Sequence, residues 1–449
     1  MSKKIIPFLF AIPAFVLVII FKVIPAIISV LVSMKNYTPV KGITGSPWVG
    51  MQNYINTIGL GNLYGAAANT FRLSLLSILV TCFMALLMIL CISSMPNRIF
   101  KTIALIIIAI PSFLPVMAYE GIFFRVLSAN GPVNSILNSL GIEPVFFLAD
   151  QSLFSLIFTV MDSLRNVFIP VLIGVLVCER EGFQFSRAML VLLVYALVRA
   201  TLFMSPDIEI LLASSSPLVY VKADVFDTLV HRNGLIQAQF SKAGAMWVIK
   251  TAVQLMINLV IFFILNWLVP KLKGMANTLT AKVNKGTAAI VSLPGYILVA
   301  AGSIGILAAW IFPLVIKNPD GTSTLGGIRI LLSNGSFWQS FSISLIVCII
   351  GSVLYAFITL SLALPMTART KIYPLALVAL MAIMNNQIGE LIFYRGLGMF
   401  GTIFPVIFST ITVAGAFALY FTVSNKFGDE VPKLMDYLKA SLLPLLVLT

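Results

Sequence analysis

From Ile5 to the end of the chain, apolar runs of bilayer-crossing length follow one another with only short polar connections between them. A bilayer core takes about 20 apolar residues per helix, and inside it every backbone N–H and C=O must be satisfied within the spanning element. With 60% hydrophobic and 10% charged residues and a mean hydropathy of +1.05, the polar segments are too short to build a separate soluble domain. The expected fold class is all-α, a polytopic transmembrane helix bundle of about ten or eleven spans. These fall roughly at 5–33, 71–93, 99–124, 153–177, 188–211, 245–268, 287–315, 337–365, 373–393 and 403–423, with a short last one from 439. Lys3 and Lys4 precede the first run as in a signal peptide, but that run continues to Met34 without a small-residue cleavage site. It is expected to be retained as a span.

Basic residues gather in alternate connections: Lys3 and Lys4, Arg98 and Lys101, Arg180 and Arg187, Lys271 to Lys285, Arg369 and Lys371, then Lys426 and Lys433. By the positive-inside rule these connections and the N-terminus are cytoplasmic. The net charge of +14 is therefore a topology signal and an attraction to anionic lipid headgroups, and no nucleic-acid partner is expected. The connections at 35–68, 128–152, 212–244, 316–336 and 394–402 carry Gly, Pro, Asn and aromatic residues and form the expected outward face. A basic polar stretch from Pro270 to Gly286 divides the chain into a first membrane module, 1–273, and a second, shortened one, 274–449.

The chemistry-bearing residues exclude several functions. Cys82, Cys91, Cys178 and Cys348 lie in or beside apolar runs without CxxC spacing, so neither a disulfide framework nor a zinc site is expected. His231 is the only histidine and has no Ser or Cys motif to partner it. There is no GxxxxGK[ST] loop for nucleotide phosphates and no HExxH pattern. No catalytic residue, metal or cofactor is expected, and the chain does not read as an enzyme.

Ionisable groups at membrane depth are costly and so point to function. Asp162 and Arg165, at i and i+3, can pair on one helix or contact a solute. Lys22, Arg72 and Arg125 lie near span ends and are expected to snorkel to the interface. Glu120 near Arg125, and Glu390 near Arg395, can line an outward vestibule. Asn385, Asn386, Gln387 and Glu390 form the densest polar patch in any apolar segment, with Phe393 and Tyr394 alongside. Amides and carboxylates that pair hydroxyls, with rings for a pyranose face, suit a sugar; a broken or re-entrant helix stabilised by the same amides is the structural alternative. Pro111, Pro115, Pro313, Pro365, Pro374 and Pro405 are expected to kink or end spans.

Three stretches occur in order: KNYTPVKGITGSPWVGMQNYINTI at 35–58, IPSFLPVMAYEGIFFRVLSANGPVNSILNSLGIEPVFFLAD at 110–150, and SSPLVYVKADVFDTLVHRNGLIQAQFSKAGAMWVIKTAVQL at 215–255. Together they resemble the permease subunits of binding-protein-dependent carbohydrate ABC importers, over most of 1–273. The segment IGELIFYRGLGMFGTIFPVIFSTITVAGAFALYFTVSNKF at 388–427 resembles the partner permease. The resemblance implies two fused permease halves of type I importer fold in a bacterial plasma membrane. It implies an extracellular solute-binding lipoprotein as partner, for which Asp224, Asp227, His231 and Arg232 are candidate contacts, and a separate ABC ATPase. Members of that family carry a cytoplasmic Glu-Ala-Ala…Gly…Leu-Pro coupling motif. Here its first place holds only VLVCEREGFQFSRAMLVLL at 175–193, and its second keeps Val431-Pro432-Lys433-Leu434 and Leu443-Pro444. Glu430, Lys433 and Asp436 are the candidate ATPase contacts. The function implied is import of a sugar or oligosaccharide. The alternatives are a permease-derived scaffold or receptor without ATPase coupling, and an intramembrane enzyme such as a lipid-linked glycosyl transferase, which no motif supports.

Overall fold

The structure is a computed structural model that describes residues 5–59, 61–178, 185–275, 292–297, 300, 329–330, 332–368, 372–413, 415–416 and 419. Within them the secondary structure is helical, with one isolated bridge between Lys35 and Trp48 in place of any strand. Pro7–Ser33, Asn62–Ser93, Phe240–Leu265 and Gly335–Met366 are each long and apolar enough to cross a bilayer. Two bent helix pairs are long and apolar enough only when taken together, each as a broken span or a re-entrant loop: Arg98–Phe113 with Val116–Ser139, at 101°, and Gln151–Asn166 with Phe168–Cys178, at 46°. The first bend has a local cause. Pro115 disfavours helical backbone in the residue before it, and Leu114 is extended at ψ 138°.

Several expected spans take another form. The 188–211 run is helical over Phe185–Ala200, turns, and resumes as Ile208–Ser214. The 373–393 run is divided into Ile372–Met381 and Gln387–Gly396. Most of 287–315, a third of 403–423 and all of the stretch from 439 lie outside the described residues. The apolar side chains left exposed on Gly335–Ala363, among them Leu345, Ile349 and Val353, are what a bilayer covers.

By internal packing the chain forms two compact units: Met1–Gly59 with Leu229–Phe262 and Ile328–Thr449, and Leu60–Thr228 with Phe263–Gly327. These interleave along the sequence, a different partition from modules at 1–273 and 274–449. In the Leu60–Thr228 unit, the helix Gly61–Ser93 packs on Gln151–Asn166, Phe168–Cys178 and Phe185–Ala200. One of its cores gathers Ile89, Ile108, Val171 and Leu192, and another Leu73, Phe154, Phe158 and Ile210.

In the unit containing the N-terminal span, Ile5–Val18 packs on Gly335–Ala363 and Ile24–Ser33 on Gln387–Gly396. The first span widens into a π-turn at Ile19–Val23, where the N–H of Ile24 reaches the carbonyl of Ile19. Pro25 has no N–H to give the carbonyl four residues back, and such a bulge re-aims the side chains it carries. Here that side chain is Lys22.

The two helices that meet around Pro25 approach closely at Gly389. A Cβ there would stand 2.0 Å from the Pro25 carbonyl oxygen and 2.6 Å from both Asn386 Nδ2 and Ser29 Oγ. The first of these atoms is backbone and cannot rotate away. Gly389→Ala should therefore destabilise the protein by at least about 1–3 kcal/mol, the scale of overpacking, read as a lowered melting temperature in detergent. Gly396→Ala, on the same helix with open space at its Cβ, should melt like the parent. Equal melting of the two variants would show that the contact is soft.

Candidate functional site

Two buried polar clusters stand out, one in each compact unit. In the Leu60–Thr228 unit, Asp162 is 1% exposed on helix Gln151–Asn166. Its expected i+3 partner is not the one it finds. Arg199 Nη2 lies 3.1 Å from Asp162 Oδ2 and 3.4 Å from Oδ1, and Asn166 Nδ2 donates to Asp162 Oδ1 at 3.0 Å. Arg165 turns instead towards Asp207, 3.9 Å from Nε to Oδ2, and its Nη1 donates to the Leu114 carbonyl at 3.2 Å. Residues three apart on a helix share only a broad face, and each of these found a better-placed partner on another helix.

The Leu114 carbonyl explains Arg165. At the Pro115 bend that oxygen has lost its helical donor, and a buried carbonyl without one is costly. Asp207 in turn accepts from the N–H groups of Glu209 and Ile210, capping the helix Ile208–Ser214. The Asp162–Arg199 pair adjoins a cavity of only about 10 Å³, with Ser74, Ser77 and Phe203 in its walls. That holds at most one water. In this conformation the pair has no room for a sugar ring beside it.

In the other unit the Asn385–Glu390 patch forms the break in a helix, as the structural alternative expected. Ala382 N–H has shifted to the Ala379 carbonyl, which leaves the Val378 carbonyl for Asn258 Nδ2 at 3.2 Å. Gln254 Nε2 steadies that amide through its oxygen, at 2.6 Å. Trp247 Nε1 donates to the Asn385 carbonyl at 2.7 Å. Asn386 caps the next helix, its Oδ1 accepting from Gly389 N–H at 3.0 Å and from Ser29 Oγ at 2.8 Å. Helix breaks survive at membrane depth where neighbours satisfy the freed backbone in this way.

Lys22 meets this second helix. Its Nζ lies 2.8 Å from Glu390 Oε1, with the two side chains 3% and 15% exposed. Lys22 is thus buried and paired, against the expected snorkelling. Arg72 also bonds inside its bundle, to Ser155 Oγ at 2.7 Å and to Asn69 Oδ1 at 3.4 Å. Tyr394 is buried with Phe393 against Phe21, and Phe21 stacks on Phe408 at 3.8 Å. Three buried polar atoms of this patch have no partner among the described residues: Asn386 Nδ2, Gln387 Oε1 and the Tyr394 hydroxyl.

The loop carrying the expected binding-protein contacts folds onto its own helices. Asn69 Nδ2 donates to the carbonyls of Val221 and Asp224, and Phe226 N–H donates to Thr70 Oγ1. Asp227 is 3% exposed, while Asp224, His231 and Arg232 are half-buried. Glu430, Lys433 and Asp436 lie outside the described residues. The reading of the residues had missed Arg199 and Lys250, although each sits inside an expected span, where an ionisable group is itself a signal. Trp247 and Asn258 carried no such signal, because an aromatic or an amide in a membrane helix is unremarkable until the broken partner is seen.

The fold is that of a multi-pass helical membrane protein with paired charges inside its units. No protein-family model matches the chain. It is 23% identical over 274 residues to the polygalacturonan/rhamnogalacturonan transport system permease protein YteP of Bacillus subtilis (strain 168), covering 56% of this chain and 84% of that one. It is also 23% identical over 287 residues to Protein LplB of the same organism, covering 59% and 88%. Among solved structures, a bacterial ABC transporter involved in import of the acidic polysaccharide alginate aligns at TM-score 0.49 and 21% identity, over 56% of this chain and 92% of that one. An alginate ABC transporter in complex with a pentasaccharide-bound periplasmic protein aligns at 0.44 and 20%, over 49% and 83%. The chain is a multi-pass plasma-membrane protein homologous to a permease of carbohydrate transport.

Proposed function

We propose that the chain is the membrane permease of an ABC-type importer for an oligosaccharide delivered by an extracellular binding protein. One observation carries this reading: the likeness to a polysaccharide-transport permease runs over 84% of that relative's length. Transport of this kind needs alternating access and no covalent chemistry from the chain, and ATP is hydrolysed by a separate subunit. The relatives account for 56–59% of this chain, and the remainder is read as a second permease half, with the module boundary near 273. Solute contacts are assigned to Asp162, Arg165, Asn385, Asn386, Gln387, Glu390 and Tyr394 in a conformation more open than this one, since the space beside Asp162 here is only about 10 Å³. Asp224, His231 and Arg232 are assigned to the binding-protein contact, with Asp227, 3% exposed here, joining them only where the loop opens, and Glu430, Lys433 and Asp436 to the ATPase. The first coupling site holds only VLVCEREGFQFSRAMLVLL at 175–193.

Affinity purification of the tagged protein from its native membrane tests the reading. An ABC ATPase should co-purify in near-stoichiometric amount, and sugar uptake should be lost when the chain is deleted. Recovery of a binding protein or other membrane proteins alone, with uptake intact in the deletion strain, would overturn it in favour of a scaffold.

A further inference from the structure

The chain folds back on its first span directly after leaving it. Gly50, in the left-handed region at φ 57°, makes the turn that a side chain would resist, and the N–H groups of Val49 and Gly50 both donate to the Met34 carbonyl, at 2.9 and 3.0 Å. The short helix Gln52–Ile58 follows. Asn53 Nδ2 donates to the carbonyls of Ser33 and Lys35, at 2.8 and 3.0 Å. Ser33 Oγ gives its own proton to the Val30 carbonyl, so the Tyr54 hydroxyl donates to Ser33 Oγ, at 2.6 Å. These bonds fix the height and the rotation of the short helix against the end of Pro7–Ser33.

Held in this way, the helix has three sides. Tyr54 and Thr57 face the protein, 7% and 0% exposed. Gln52 and Asn56 share a second, exposed side, where Gln52 Nε2 donates to Asn56 Oδ1 at 2.9 Å. Met51, Ile55 and Ile58, spaced i, i+4 and i+7, fall together on the third. They are 58%, 63% and 46% exposed, and Trp48 just before them is 59% exposed. The protein-facing side is thus taken by a tyrosine and a threonine, and the large apolar side chains of the helix are left uncovered.

Position identifies what covers them. Pro7–Ser33 has 27 residues, about 40 Å of helix at about 1.5 Å per residue, and a bilayer with its headgroups is about 40–45 Å thick. The Ser33 end, with the short helix bonded to it, therefore lies at headgroup level. The last turns of the span expose Ile27, Val30 and Leu31, so lipid adjoins this end of it. Between Lys35 and Gly59 there is no acidic residue, and Lys41 is exposed, which suits phosphate headgroups. Tryptophan is also at home at this level.

We propose that Gln52–Ile58 is an interfacial anchor, which seats Met51, Ile55 and Ile58 in the boundary between headgroups and acyl chains and turns Gln52 and Asn56 towards water. Its partner is the lipid surface. Because the anchor is bonded to the end of Pro7–Ser33, it sets the depth of the span that carries Lys22. The anchor stands whether or not the chain is an importer.

Tryptophan fluorescence of the full chain in nanodiscs of phosphatidylcholine and phosphatidylglycerol tests this. Phosphatidylcholine brominated near the top of its acyl chains is the lipid quencher, and iodide the aqueous one. The emission that Ile55→Trp adds to the parent's should be quenched by brominated lipid at least about threefold more strongly than that added by Asn56→Trp, and iodide should reverse the order. Met51→Trp should match Ile55→Trp, so the result does not hang on the folding of one variant. Iodide quenching as strong at positions 55 and 51 as at 56 would place the apolar side in water, free for a soluble partner, and overturn the anchor. Emission from Ile55→Trp and Met51→Trp that neither quencher reaches would mean that protein covers this side, and would overturn it as well.

Discussion

Glu390→Ala should destabilise the protein by about 3–5 kcal/mol, because it leaves the Lys22 ammonium buried without its counter-charge. Lys22 Nζ sits 2.8 Å from Glu390 Oε1, and only 3% of the lysine side chain is exposed. The lysine is carried on the π-turn at Ile19–Val23, and its pairing and burial hold the ammonium inside the unit. Replacing both partners by apolar residues of similar volume, Lys22→Met with Glu390→Leu, should recover most of the loss. A buried pair as a whole is often worth little against a hydrophobic substitute, while half of one is expensive. Chemical or thermal unfolding in detergent measures all three variants. A Glu390→Ala protein that unfolds with the parent would mean that the pair contributes nothing and that water reaches Lys22.

Asp162→Ala should cost a similar amount, about 3–5 kcal/mol, in the other compact unit. It removes at once the partner of Arg199 and an acceptor of Asn166, and Asp162 is nine-tenths or more buried. Asp162→Asn should recover part of this, since an amide oxygen still accepts from Arg199 but no longer neutralises it. Asp207→Ala is the informative comparison. Its contact to Arg165 is longer, at 3.9 Å, and both side chains are about one-fifth exposed. The loss there should be about 1 kcal/mol, mostly from the helix cap on Glu209 and Ile210. If Asp207→Ala proves as damaging as Asp162→Ala, the network is organised around Arg165 and the assignment of partners is reversed.

How much of the site could be read beforehand differs from one residue to the next. The patch at Asn385–Glu390 was visible because polar side chains inside an apolar run are rare, and its role in a broken helix was one of the two readings they allowed. Lys22 was visible for the same reason, but its fate was not. The partner lies 368 positions away, and span-end location favours snorkelling only when no buried carboxylate is within reach. For Asp162 the near candidate at i+3 was the wrong one, since Arg199 comes from a different helix. Trp247 and Asn258 matter because two carbonyls near them lost their donors, which depends on a neighbouring helix having broken.

Composition and local order therefore determined the solvent of this protein, its helical class and the outline of its spans. The runs at 5–33 and 337–365 appear as Pro7–Ser33 and Gly335–Met366, and Pro115 ends a helix where its ring requires. Those properties follow from sums over neighbouring residues: hydropathy per span, and the backbone limits of proline. The charge pairs, the carbonyls rescued at helix breaks and the clash waiting at Gly389 were decided only by tertiary packing. Each depends on which distant groups are brought within a few ångströms, where desolvation raises the energy of an unpaired charge or dipole and close partners lower it.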